Sequence, residues 1–151
     1  MSGNDSDARY SRQQLLEDWD QTRFSEARVA IIGIGATGSV IASTLAMMGV
    51  GELVLVDMDT VELSNLSRQL LFQDAHIGQF KVDAAKEILL KMNPEVTISS
   101  YNSSVQDLKP RIFNGTHVLV DGLDNFEARQ YINSVSIKKK IPLVSGGMFG
   151  W

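Results

Sequence analysis

The sequence predicts an α/β fold: a Rossmann-like, mostly parallel sheet with helices on both faces, preceded by an N-terminal helical extension. Three observations predict it. Short apolar, β-branched runs alternate with longer stretches of helical periodicity, which is the pattern of a parallel sheet built from βα units. Gly33, Gly35 and Gly38 form a G-x-G-x-x-G turn between the first run and the first helical stretch. The second and fourth runs end at acidic residues, Asp57 and Asp121, and right-handed crossovers bring such strand ends to one edge of the sheet.

Each element follows from local pattern. Residues 1–8, made largely of Ser, Gly, Asn and Asp, read as a disordered lead. Residues 9–26 carry a helical pattern, with Leu15, Leu16, Trp19 and Phe24 spaced for one face. Arg28–Ile32 is a buried strand that stops at Gly33, and Ala36–Met48 is a helix of small apolar residues ended by Gly49 and Gly51. Residues 53–56 form a second strand. Residues 79–92 are helical, with Val82, Ala85, Ile88, Leu89 and Met92 on one side and Pro94 blocking continuation. A third strand spans 96–101, and a short helix spans 107–113 with Pro110 in its first turn. A fourth strand spans 118–120. The last helix, Phe126–Lys139, has a basic end that suits its dipole, and a fifth strand starts at Pro142. The division is an extension over 1–27 and a nucleotide-binding domain over 28–151.

Composition excludes several classes. A chain of 151 residues with 44% hydrophobic and 21% charged residues has the balance of one ordinary soluble domain. A net charge of -4 argues against a general nucleic-acid binder. No apolar run approaches the ~20 residues that span a bilayer, and the start of the chain lacks a signal-peptide core, so no membrane partner and a cytoplasmic location are expected. With no cysteine, the chain offers no disulfide, no tetracysteine zinc site and no thioester nucleophile.

The glycine turn permits close approach of a phosphate, and the helix N-terminus behind it offers N–H groups and a positive dipole end. Asp57 stands at the spacing of a ribose-binding acid, with Asp59 two residues on. To this point a nicotinamide-dependent oxidoreductase explains the residues equally well. Asn65, Arg68 and Gln69 in a polar segment, with Lys81 opening the next helix, suit a triphosphate better, because cations there neutralise its charge. Asp121, Asp124 and Asn125 follow the fourth strand; a carboxylate at Asp124 can hold Mg²⁺ on phosphate oxygens, or it can cap the helix from Phe126.

Several runs carry a family resemblance. They are Arg9-Tyr10-Ser11-Arg12-Gln13, Asp57-Met58-Asp59, Ser64-Asn65-Leu66-Ser67-Arg68-Gln69, Gly78-Gln79-Phe80-Lys81, Asn93-Pro94 and Asp124-Asn125. Collinear from Arg9 to Gly147, they resemble the MoeB/ThiF family of ubiquitin-activating-type adenylating enzymes. The run from Asp124 to Arg129 is also similar to the UFM1-activating enzyme. The resemblance implies ATP and Mg²⁺ as cofactors, with no zinc site within this chain. It implies that Gly33, Gly35, Ala36 and Gly38 shape the phosphate turn and that Asp57, with Asp59 beside it, holds the ribose. It further implies that Asn65, Arg68, Gln69 and Lys81 contact phosphates and that Asp124, with Asn125 beside it, binds the metal. Arg12 would reach the γ-phosphate of a neighbouring subunit's ATP, which implies a homodimer.

Two departures from the family pattern stand out. Ala36 occupies a position where the family commonly has glycine, and the family's zinc and thioester cysteines have no counterpart here. The family fold is expected to continue past Trp151, where Met148, Phe149 and Trp151 would form an unfinished apolar edge. The function implied is adenylation of the C-terminal glycine of a ubiquitin-like or sulfur-carrier protein, catalysed by Arg12, Arg68, Lys81 and Asp124. The alternatives are a non-catalytic or split-enzyme nucleotide-binding subunit completed by a complementary chain, and an NAD-dependent oxidoreductase.

Overall fold

The computed structural model describes residues 5–146. Five strands form one sheet: β1 (Arg28–Ile32), β2 (Glu52–Val56), β3 (Thr97–Tyr101), β4 (Val118–Asp121) and β5 (Leu143–Ser145). Their order is β3-β2-β1-β4-β5, and every pairing is parallel. The order reverses at β1, whose two neighbours come from opposite halves of the chain. In open α/β sheets that switch point opens a crevice at the carboxyl ends of the strands.

The expected two-sided sheet is present, and its residues sort by pleat. Val29 and Ile31 of β1 join Leu53, Leu55 and Ile98 against helices α3 (Ala36–Met48) and α4 (Lys81–Met92). Ala30 and Ile32 face the other way, with Val54, Val56 and Leu119, against Phe113 and α5 (Phe126–Lys139). Because both faces are covered, the strands read as continuous apolar runs rather than alternating ones. Each fully buried Ile or Leu contributes about 1.5–3 kcal/mol over an exposed one. The side of α3 toward the sheet is built from Gly38, Ser39, Ala42, Ser43 and Ala46, so this helix lies close to the strands.

The N-terminal extension differs from the expectation. Instead of one helix over 9–26, there is a short helix α1 (Asp5–Tyr10), a 3₁₀ turn at Gln13–Leu15 and a helix α2 (Gln21–Glu26). Part of the expected disordered lead is therefore helical. The break has local causes: Asp18 takes a left-handed φ of 66°, and the Asp20 side chain starts a new helix by accepting from the Arg23 N–H at 3.1 Å. Leu15 and Leu16, expected on one helical face, are 76% and 60% exposed.

Smaller differences are of the same kind. The helix expected from 79 begins at Lys81, because 60 and 80 form an isolated antiparallel bridge. The stretch 107–113 is two 3₁₀ turns, Val105–Asp107 and Pro110–Phe113. The apolar end at Met148, Phe149 and Trp151 lies outside the described residues. Among the described residues no helix is long and apolar enough to cross a membrane.

Candidate nucleotide site

The site is built on the turn between β1 and α3. Gly33 has φ +90°, and a Cβ there would stand 2.6 Å from the Gly122 carbonyl oxygen. A Cβ on Gly38 would lie 1.9 Å from the Gly33 oxygen. These two glycines are required by packing between the turn, α3 and the loop after β4. Gly35 differs: a Cβ there would meet only the Gln69 Nε2, at 4.0 Å. Its surface is open, as a cradle for a ligand must be.

Gly35 is also the N-cap of α3, and no side chain caps this helix. The Ser39 N–H turns back to the Gly35 oxygen at 2.9 Å, while the first-turn amides from Ala36 to Gly38 have no partner within the helix. They and the helix dipole present a positive end to the open side of the turn.

Asp57, at the end of β2, braces this turn. Its Oδ2 accepts from the Ile34 N–H at 2.7 Å and its Oδ1 from the Asp59 N–H at 2.8 Å. Burial pushes its pKa above the usual carboxylate value, against the opposing pull of those two amides and of Lys81.

Lys81 reaches the same edge from α4. Its backbone N–H bonds the Asp59 oxygen at 2.9 Å, and its Nζ donates to Asp59 Oδ2 at 3.0 Å. The residue is only 6% exposed, so a cation is held beside the turn at the cost of its hydration. Gln69 is 4% exposed, and its Oε1 is buried without a hydrogen-bond partner among the described residues. That oxygen is an acceptor in need of a donor, while the amide Nε2 is the atom turned toward Gly35.

The other expected residues fall into three groups. Asn65 is buried, and its Oδ1 accepts from the Glu62 N–H at 3.0 Å, which shapes the segment carrying Arg68 and Gln69. Arg68 is exposed and rests against the Ser64 oxygen at 2.9 Å. Asp124 and Asn125 follow β4. The structure removes the capping role considered for Asp124: the N-cap of α5 is Asn125, whose Oδ1 accepts from the Glu127 and Ala128 N–H groups at 2.8 and 3.2 Å. Asp124 is exposed and left out of the cap.

Arg12 is not brought to this site. Its neighbour Gln13 donates to the oxygen of Met48, the last residue of α3, at 2.7 Å. Tyr10 donates to Glu95 at 2.7 Å and accepts from Asn93 at 2.8 Å. That is the opposite edge of the sheet, separated from Gly35 by the whole of α3, about 20 Å for its length.

Two residues that hold the site together were given no site role from sequence. Gly122 meets the turn backbone to backbone, its N–H bonded to the Ile32 oxygen at 2.8 Å; its glycine after Asp121 was a visible signal. Arg129 holds the loop after β4 through Leu123 and Asp121. It closes the run from Asp124 whose resemblance was visible in sequence, but its partners are brought to it only by the fold.

Fold and site together define a Rossmann-like α/β domain with an open glycine turn at a helix N-terminus, a buried lysine and an exposed carboxylate on one sheet edge. Comparison with known proteins then gives the family. The sequence model of the ThiF family matches residues 10–151, and the chain belongs to that family. It is 41% identical over 142 residues to the molybdopterin-synthase adenylyltransferase of Escherichia coli strain K12, covering 91% of this chain and 57% of that protein. It is 36% identical over 145 residues to the SAMP-activating enzyme E1 of Haloferax volcanii, covering 93% and 54%. The chain thus spans little more than half the length of these relatives. Among solved structures, PaaA superposes with a TM-score of 0.82 at 31% identity, covering 96% of this chain and 48% of that one. The E. coli tRNA N6-threonylcarbamoyladenosine dehydratase in complex with ATP superposes at 0.85 with 24% identity, covering 99% and 65%, which shows the shared fold.

Proposed function

We propose that this chain is the ATP-binding part of an enzyme that adenylates the C-terminal glycine of a sulfur-carrier or ubiquitin-like protein. One observation carries the reading. The open surface at Gly35, below an uncapped helix N-terminus, is bordered by the Gln69 amide nitrogen and shares its sheet edge with the buried cation at Lys81. A polyphosphate supplies acceptors for the helix amides, for the Gln69 Nε2 that faces Gly35 and for Lys81. The names of the relatives support the same chemistry: molybdopterin-synthase adenylyltransferases and a SAMP-activating E1.

In the proposed reaction a carboxylate oxygen of the carrier's last glycine attacks the α-phosphorus of ATP. The P–O bond to the β-phosphate breaks, and pyrophosphate leaves with the electron pair. The carboxylate is already ionised at neutral pH, so no general base is needed, and positioning with charge neutralisation supplies the catalysis. Arg68 and Lys81 neutralise phosphate charge, the α3 amides orient it, and Asp57 with Asp59 receives the ribose side. Asn65 and Gln69 line the segment between.

Among the described residues no group of three or more His, Cys, Asp or Glu gathers as a metal site of its own. Magnesium still fits, because it is commonly held by one carboxylate plus phosphate oxygens and water. Asp124, exposed and free of the cap, is that carboxylate; the ion would offset charge on the phosphates. Residues 28–151 form the nucleotide-binding domain in this reading and 1–27 an arm. The arm's Arg12, held away from its own site, serves the ATP of a partner copy. A cytoplasmic location, where ATP is abundant, agrees with it.

Thermal unfolding with Mg-ATP or NAD tests the reading, since a ligand that binds only the folded state raises its apparent stability. Stabilisation by Mg-ATP is expected, reduced in both Arg68→Ala and Asp124→Ala. Stabilisation by NAD with indifference to Mg-ATP would return the site to the oxidoreductase class.

A further inference from the structure

We propose that Arg129 is a positioning residue of the nucleotide site, holding the turn 121–125 so that Asp124 faces the phosphates. This rests on the reading of Asp124 given above. Arg129 is the fourth residue of α5, its side chain half-buried, and its guanidinium grips two parts of the loop at once. Nε donates to the Leu123 oxygen at 3.0 Å, and Nη2 donates to the same oxygen. Nε also lies 3.6 Å from Asp121 Oδ2.

Each contact fixes something different. The Leu123 carbonyl belongs to the peptide that leads into Asp124, so tying it down sets the plane from which the Asp124 side chain departs. Asp121 is 3% exposed, and its Oδ1 accepts from the Leu123 N–H at 3.0 Å while Oδ2 accepts from Ser145 Oγ at 2.5 Å. Arg129 supplies the positive charge that makes this buried carboxylate tolerable. On the far side of Asp124, Asn125 is fixed by its double cap. The exposed Asp124 carboxylate therefore stands on a backbone held at both flanks. A metal ligand oriented this way loses less freedom on binding than one on a loose loop. The planar fork matters, because a lysine is a point charge and does not grip a carbonyl from two nitrogens while facing a carboxylate.

Calorimetric titration of the full chain with ATP and with AMP, each with and without Mg²⁺, tests the proposal in Arg129→Ala, Arg129→Lys and Asp124→Ala. Arg129→Ala is expected to lose about 10-fold or more of the gain in ATP affinity that Mg²⁺ confers, as removal of partners that orient a metal ligand does. AMP affinity should stay close to wild type. Arg129→Lys, which keeps the charge, should recover only part of the gain, and it decides by the same ratio if the alanine variant does not fold. An unchanged Mg²⁺-dependent gain in Arg129→Ala overturns the proposal, as does an equal loss for AMP and ATP irrespective of Mg²⁺, which is the mark of a merely structural role. If Asp124→Ala itself keeps the full gain, the failure lies in the reading of Asp124, and the inference falls with it.

Discussion

Three glycines in one motif do two different jobs. Gly33 and Gly38 are where backbones touch, and an added Cβ has no room at either. At Gly35 it has room, and φ there is -85°, which any L-residue adopts. Substitution separates the two roles. Gly38→Ala gains helix propensity of about 1 kcal/mol. It nevertheless places a methyl 1.9 Å from a carbonyl oxygen of the rigid turn. The backbone clash wins, and a net loss of about 1–3 kcal/mol is expected in urea denaturation. Gly35→Ala should unfold within about 0.5 kcal/mol of wild type. It should still bind Mg-ATP at least tenfold more weakly, about 1.4 kcal/mol. Equal losses of stability in the two variants would mean that Gly35 is also a packing glycine and the cradle reading is wrong.

Among the elements, α5 shows how one side chain releases another. Asn125 satisfies two of the N–H groups that a helix start leaves open. Asp124 is thereby left outside the cap. Asn125→Ala should cost about 1 kcal/mol of stability, the usual loss for a cap. Asp124→Ala, by contrast, should stay within about 0.5 kcal/mol while losing Mg-ATP stabilisation. Chemical denaturation of both variants, with and without nucleotide, checks the pair; the reverse pattern would make Asp124 the cap after all. The N-terminal arm shows a comparable division. Tyr10 and Gln13 are anchored by hydrogen bonds on either side of Arg12, which itself stays exposed.

For the molecule as a whole, the position of that arginine sets a testable demand. Arg12 stands at the amino-terminal edge of the sheet and the glycine turn at the carboxyl edge, about 20 Å away along α3. If Arg12 meets a γ-phosphate, the nucleotide belongs to another copy of the chain. ATP affinity should then rise with protein concentration, as binding and association are linked. AMP, which lacks the γ-phosphate, should bind independently of concentration. Arg12→Ala should abolish the concentration dependence and leave AMP unaffected. Analytical ultracentrifugation alongside the titrations checks the link, and concentration-independent ATP binding by the wild type would remove Arg12 from the site.

Much was legible in the chain itself. The apolar runs, the glycine turn and the helix stops located all five strands and the three long helices, because burial on both sides of a parallel sheet leaves an unbroken apolar signature. The family resemblance was legible through separated motifs in a constant order, and membership of the ThiF family bears it out. The extension was misread because its periodicity is real but its start signals, Asp18 and Asp20, act on the backbone rather than on the pattern. What only the tertiary structure decided are matters of partnership. It set which glycine faces open space, which of Asp124 and Asn125 caps α5, and that Asp121 is buried under Arg129 while Arg12 lies beyond reach of its own turn. Sequence encodes periodicity and local propensity, which act over a few residues. The partners of a side chain come from strands brought side by side across tens of residues, and no local pattern records which of them will meet.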